Sequence, residues 1–319
     1  MASKRKIIFV YASNKVDQGS TNMRVHQLSQ MLRPHLENDY ELILSKIIIP
    51  PKFIRNSFSI KLSCIHWAKN IEKDAVLFIS KACIKFFTPE IIDILKKQHV
   101  KLCFDHVDSD FSIGPQGNPD VHICSSYTQQ NFINEYKVTN PSFTGDAGLL
   151  LHNFDKELQN FKASSLSKFN CAYIGTPSVG FLPDQAKNRL TIVEALGVSG
   201  MKSILPDLKN FNAHYALRLP QPRGSLLAKP FTKGFVAAAC GAVVLTNRDT
   251  HDAVEVLGDD YPYLVNNLDT VETIEMLDKM KDDYGSQTWI AAQERMQHVY
   301  SLVSPQALAM QLRKFADEL

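Results

Sequence analysis

The residues best suited to chemistry lie in "KPFTKGFVAAACGAVVLTN", residues 229–247. Lys229 and Lys233 are four apart, Thr232 stands with them, and the small residues Ala237, Ala238, Ala239 and Gly241 follow. The spacing predicts a helix beginning near residue 226, with Pro230 in its first turn, where a missing N–H costs nothing. Cations at the positive end of a helix dipole repel it unless an anion is supplied. A diphosphate fits: the ammonium groups neutralise it, the Thr232 hydroxyl donates to it, and free amides complete the cradle. Tyr215 and Arg218, at the end of the preceding strand, are expected at the same site, Arg218 as a further anion partner. A solvated basic turn beside a tightly packed helix would use the same letters.

A second set follows a buried strand in "CFDHVDSDFS": Asp105, His106, Asp108 and Asp110. A histidine among carboxylates can act as a general base or orient a hydroxyl. Asp108-Ser109-Asp110 also spells the D-x-D that some sugar transferases use for a divalent ion, although a capped, solvated turn explains it equally. A third set is Asp17-Gln18-Gly19-Ser20-Thr21, where Gly19 lets the backbone approach a ligand at a helix amino terminus. One glycine is far weaker than G-x-G-x-x-G. His214 and His152 read as satisfied structural residues, and 258–263 as a turn.

These groups need a scaffold. At 319 residues the chain suggests two domains, and its 45% apolar and 21% charged content is that of a globular protein. A net charge of +2 gives no global attraction to nucleic acid or anionic membrane. The six cysteines form no C-x-x-C pair and read as buried free thiols of a reducing compartment, without disulfides or zinc. No apolar stretch approaches a membrane span. Localisation is expected to be cytoplasmic.

Strands are predicted at 6–12, 40–46, 74–80, 100–105 and 121–126. They alternate with helices, one from Asn22 carrying Val25, Leu28 and Leu32, others at 58–71 and 88–98. A linker is expected over 141–169. A second alternation has strands at 171–175, 202–206, 213–219 and 242–246, a helix near 186–196, and three helical stretches at 269–283, 285–300 and 304–318, with Trp289, Met296, Tyr300 and Leu308 as anchors. Strands apolar on both faces imply parallel sheets covered on both sides. The expected class is α/β with two Rossmann-like domains facing across a cleft, residues 1–150 and 151–319, the last helix crossing back to the first.

On the Gly19-Ser20 loop leading into an Arg24-bearing helix, "VHICSS" (121–126), "AYIGT" (172–176) and "KPFTKGFVAAACGAVVLTN", the chain resembles the GT-B glycosyltransferases, the clan of glycogen-synthase-like and bacterial polysaccharide enzymes. The resemblance covers nearly the whole chain with loose motifs. It implies that 151–319 holds a nucleotide-diphosphate sugar, with Lys229, Thr232, Lys233 and Arg218 at its phosphates and Tyr215, Gly175 and Thr176 as further donor contacts. It also implies that 1–150 holds the acceptor, with Gly19, Ser20, Thr21 and Arg24 in a loop at the site and Asp105, His106 or Asp108 acting on the acceptor hydroxyl. The chain departs from the clan at its E-x7-E signature, which falls at Ala228 and Val236, so the ribose-binding role is unassigned.

The implied reaction moves a sugar from a nucleotide-diphosphate donor to a hydroxyl of a glycan or lipid-linked glycan, in polysaccharide biosynthesis. It requires no cofactor and no metal, because cations and amides stabilise the leaving diphosphate. A nucleotide-sugar epimerase and a catalytically silent nucleotide- or glycan-binding module are the alternatives. No nucleic-acid partner is expected, membrane association is expected to be peripheral at most, and homo-oligomerisation stays open.

Overall fold

The computed structural model describes residues 4–15, 19–112, 118–161, 165–194, 200–221 and 225–319. Two compact units divide the chain: Met1–Leu151 with Ser225–Lys229 and Pro305–Leu319, and His152–Gly224 with Pro230–Ser304.

The first unit carries strands β1 (Arg5–Ala12), β2 (Tyr40–Ile47), β3 (Val76–Ser80), β4 (Lys101–Asp105), β5 (Val121–Cys124) and β6 (Asp146–Leu149). They form one sheet in the order β2-β1-β3-β4-β5-β6, and every pairing is parallel. Ile7 to Val10 and all of β3 are buried, as strands covered on both faces must be. The Ser57–Lys69 and Pro89–Lys96 helices pack Cys64, Ala68, Ile91 and Leu95 into one apolar layer with Leu77, Ile79 and Phe104. The Pro305–Glu318 helix belongs to this unit: Arg5 donates to the Ala316 carbonyl at 2.5 Å and the Gln311 side chain accepts from the Leu151 N–H at 2.9 Å.

The second unit carries β7 (Cys171–Ile174), β8 (Thr191–Val193), β9 (Ala213–Tyr215), β10 (Val243–Asn247) and β11 (Leu264–Val265), again all parallel, in the order β11-β10-β9-β7-β8. Counted within its own unit, each sheet therefore starts 2-1-3-4-5. Both are doubly wound α/β sheets with a topological switch point beside their first strand. Trp289 and Met296 of the Gln287–Val303 helix are buried, and Tyr300 stacks on Phe154 with 5.6 Å between centroids.

Several elements differ from their sequence expectation. Residues 202–206 lie in the Gly200–Leu208 helix, because Ile204 and Leu208 are four apart and share the buried face. The helix expected near 186–196 is only the turn Asp184–Lys187; the β-branched run Thr191-Ile192-Val193 then pairs beside β7 as β8. The expected linker contributes β6. Asn22 caps nothing: helix begins at Gly19, and Asn22–Gln27 is a π-helical segment. All six cysteines are free and buried, as expected.

Candidate donor-phosphate site

The switch point of the second sheet lies between the carboxyl ends of β7 and β9. A pocket of about 170 Å³ opens there, lined by Ile174, Gly175, His214, Thr232, Lys233 and Val236 among others. Three local structures build it. Gly175, with φ +130°, turns the chain out of β7, a conformation that L side chains rarely adopt. A Cβ on Gly175 would also stand 3.4 Å from the Lys233 ammonium. The Thr232–Ala239 helix then presents its first turn, and Phe231, at the N-cap, offers no side-chain cap to the first amides. Gly234 lets this helix pack: a Cβ there would fall 1.9 Å from the Phe231 ring.

Lys233 is the centre of the site. Its ammonium lies 3.6 Å from the centroid of the Tyr173 ring and donates to the Ile174 carbonyl at 2.9 Å. Burial, and then the positive charge of Arg218, lower its pKa from 10.5 to about 7. Arg218 stands just beyond β9, its N–H donating to the Asn247 side chain at 3.0 Å. His214 lies under the pocket. Burial lowers its pKa to about 3, with Lys233 adding to the effect, so it is neutral, and its buried Nε2 has no hydrogen-bond partner. The site therefore combines a poorly solvated cation, a second cation nearby and an unused ring nitrogen.

The sequence expectation for this site is corrected in the start of the helix and in His214. The helix starts at Thr232, so Lys229 and Lys233 are not successive turns of one helix, and Lys229 belongs to the other unit. Tyr215 does line the pocket, but its hydroxyl donates to the Phe181 carbonyl. Thr176 offers its backbone carbonyl to the Tyr173 hydroxyl at 2.7 Å. His214 was expected to be satisfied and is not. The loop after β10, missed by the sequence reading, adds Asn247, which accepts from the Arg218 N–H and from Thr250, each at 3.0 Å.

In the first unit, Asp105 and Arg24 are both fully buried. Arg24 Nε and Nη2 donate to the two Asp105 oxygens at 3.2 and 3.0 Å, and its other bonds go to the Leu150 and Leu151 carbonyls at 3.1 and 2.9 Å. Arg24 and Asp105 thus neutralise each other in a fully buried pair. His106 is buried as well. It stacks on His122, their Nε2 and Nδ1 atoms are 2.9 Å apart, and burial lowers its pKa to about 3. His122 Nε2 lies 2.7 Å from the Thr144 carbonyl, so it must donate there and accept from His106 through Nδ1. Asp108 remains accessible. It takes a left-handed φ of +49°, lies 3.4 Å from the Lys229 ammonium, and gives its carbonyl to Lys81 at 3.0 Å.

Asp110 accepts from Ser112 through the same oxygen at 2.9 and 2.5 Å, so the D-x-D carboxylates are engaged separately. Among the described residues no group of three or more His, Cys, Asp or Glu could hold a metal ion. Gly19 has no positive φ and open space at its Cβ position, so nothing here requires glycine. Ser20 follows it in the same turn, and Thr21 is buried with an unpartnered hydroxyl. Asp17 and Gln18 lie outside the described residues.

No protein-family model and no curated protein matches the sequence. Solved structures do match. A glycosyltransferase from Rickettsia africae aligns with a TM-score of 0.64 at 11% identity, covering 99% of this chain and 98% of that one. Anabaena HepE in complex with UDP gives 0.62 at 12% identity over 98% and 100%. An alpha-glucosyltransferase in complex with UDP and a 13-mer DNA gives 0.61 at 12% identity over 99% of each chain. The fold is that of the GT-B glycosyltransferases.

Proposed function

We propose that the protein is a glycosyltransferase that binds a nucleotide-diphosphate sugar in its second unit and passes the sugar to a hydroxyl of a glycan or lipid-linked glycan. The observation that carries this reading is the desolvated Lys233 beside Arg218, at the switch point of a GT-B sheet. An ammonium with its pKa lowered to about 7 is unfavourable until an anion arrives, and the diphosphate of a sugar nucleotide would supply one. HepE with UDP-glucose, similar in fold at a TM-score of 0.59, supports a sugar nucleotide as that ligand.

In the reaction the bond from the anomeric carbon to the diphosphate oxygen breaks and one to the acceptor oxygen forms. The acceptor hydroxyl releases its proton, and the nucleoside diphosphate leaves with the bonding pair. Lys233, Arg218, the Thr232 hydroxyl and the first amides of its helix stabilise the charge on that leaving group, which makes a metal dispensable. His214 Nε2 is positioned for a donor from the ligand. Of the three acceptor-side candidates, Asp108 alone is accessible enough to orient the acceptor hydroxyl.

A second reading, binding without turnover, is favoured by Val236: an apolar side chain lines the pocket where the clan's second glutamate is expected. The deciding experiment is thermal unfolding against UDP, GDP, dTDP and ADP and their sugar conjugates, followed by release of nucleoside diphosphate in the presence of glycan acceptors. A ligand at about 100 times its Kd adds roughly 2.7 kcal/mol, a shift of a few degrees. A shift with release supports the transferase, a shift without release the silent module, and no shift with any ligand removes the donor site. Conversion of the sugar nucleotide without an acceptor would indicate the epimerase.

A further inference from the structure

One acid-free basic stretch of the chain coincides with the main concentration of exposed apolar side chains among the described residues. Residues 42–71 contain no Asp or Glu and carry Lys46, Lys52, Arg55, Lys61 and Lys69. Six of the thirteen exposed large apolar side chains among the described residues lie within 44–62, among them Phe53 at 86%, Phe58 at 67% and Ile48 at 56% exposed. Scattered exposed apolar residues need no explanation, but a contiguous group ringed by one sign of charge marks a binding surface.

The segment is held in this shape by its own hydrogen bonds. The Ile54 N–H donates to the Pro51 carbonyl at 3.1 Å and Arg55 Nε to the Pro50 carbonyl at 2.9 Å. Asn56 and Ser59 form a reciprocal capping box that starts the Ser57–Lys69 helix. Phe53 and Ile54 therefore stand on an ordered turn, and Phe58 and Leu62, four apart, continue the surface along the helix face opposite the buried Cys64 and Ala68. Ile48 and Leu62 also line a groove of about 480 Å³ between β2, the sheet's edge strand, and this helix.

We propose that this face docks the protein on an anionic lipid bilayer. Phe53, Ile54, Phe58 and Leu62 enter the boundary between headgroups and acyl chains, and the surrounding Lys and Arg face the acidic headgroups. Charge decides against a second copy of the chain: Lys61 is paired with Glu90 at 2.5 Å, but a two-fold contact would still set Lys46, Lys52, Arg55 and Lys69 against their own copies. The aliphatic Ile48, Ile54 and Leu62 offer nothing to a phosphodiester backbone, which argues against nucleic acid. No helix among the described residues is long and apolar enough to cross a membrane, so the attachment is to a surface. This inference does not rest on the donor site.

The test is co-sedimentation of the full chain with vesicles of phosphatidylcholine alone or with about 30% phosphatidylglycerol, at low and high salt. The expected result is binding at least about tenfold stronger to the anionic vesicles, weakened by salt. Phe53→Ser with Phe58→Ser, and separately Lys46→Glu with Lys52→Glu, should each lower it about tenfold while leaving the melting temperature unchanged. Should the double serine variant melt early, Phe53→Ser alone, at the most exposed position, serves instead. Absence of binding, equal binding to both vesicle types, or indifference to these substitutions overturns the proposal. So does a concentration-dependent dimer, seen by light scattering and lost in the serine variant, without vesicle binding.

Discussion

Lys233 and Tyr173 form a cation–π pair inside the second unit, the ammonium 3.6 Å from the ring centroid, with the Ile174 carbonyl as a hydrogen-bond partner. The carbonyl bond survives loss of the proton whereas the ring contact favours the cation, and burial outweighs that preference, lowering the Lys233 pKa to about 7.

A nucleoside diphosphate prefers the protonated amine. Above pH 7 the free protein loses that proton, so binding must take one up, and affinity should fall by up to about tenfold per pH unit. Calorimetry of the nucleotide identified by thermal shift, at pH 6.5 to 9 in buffers of differing ionisation enthalpy, checks both the slope and the proton uptake. A pH-independent affinity would place the phosphates elsewhere.

Lys233→Met keeps most of the side-chain volume and removes the poorly solvated charge. The expected outcome is a melting temperature for the free protein no lower than wild type, together with loss of the ligand-induced shift. A residue held only for structure would lower the former. Differential scanning calorimetry with and without ligand separates the two.

In the first unit, Arg24 and Asp105 present the reverse case, a buried pair already satisfied. Removing one partner leaves an uncompensated buried charge, so Asp105→Ala should destabilise by about 3–5 kcal/mol. Replacing both by apolar residues, as in Arg24→Met with Asp105→Leu, should recover much of that loss. Urea unfolding of the single and double variants measures the difference.

Acid should destabilise the protein through its buried imidazoles. Burial holds His106 and His214 at about 3 and His122 at about 4, below the ordinary 6.5. Between pH 6.5 and about 4 the unfolded chain binds protons that the folded chain does not. Stability is therefore intact above pH 6.5 and falls as the pH drops, by up to ~1.4 kcal/mol per unit for each histidine. His106→Phe should flatten that slope.

The Thr232–Ala239 helix tests the packing argument. Gly234→Ala would drive a Cβ to 1.9 Å from the Phe231 ring, and a shift of that ring should destabilise by about 1–3 kcal/mol. A neutral substitution, judged by melting temperature, would show that the ring moves freely.

The parallel sheets were legible because runs such as Ile7–Ala12 and Ala75–Ile79 are apolar without interruption, which only a doubly covered sheet tolerates. Residues 202–206 were not, since "KSILP" is short enough to suit either period, and only tertiary burial of Ile204 and Leu208 decides for helix. In the site, Lys233 and Arg218 could be read from charge next to a tightly packed helix. The Arg24–Asp105 pair could not, because its partners are 81 positions apart and only the buried geometry shows that each satisfies the other. Nor could the unused nitrogen of His214, a property of what fails to surround it.

The chain leaves the first unit after Leu151, returns for Ser225–Lys229, and returns again at Pro305. Neither half is therefore a contiguous cassette. A fragment ending at residue 151 would lack the helix that covers Arg5 and supplies the Gln311 bond to the Leu151 amide. One beginning at 152 would carry that helix without the sheet it packs on. Exchange of either unit between homologous proteins, in the laboratory or in evolution, would have to cut at all four crossings at once.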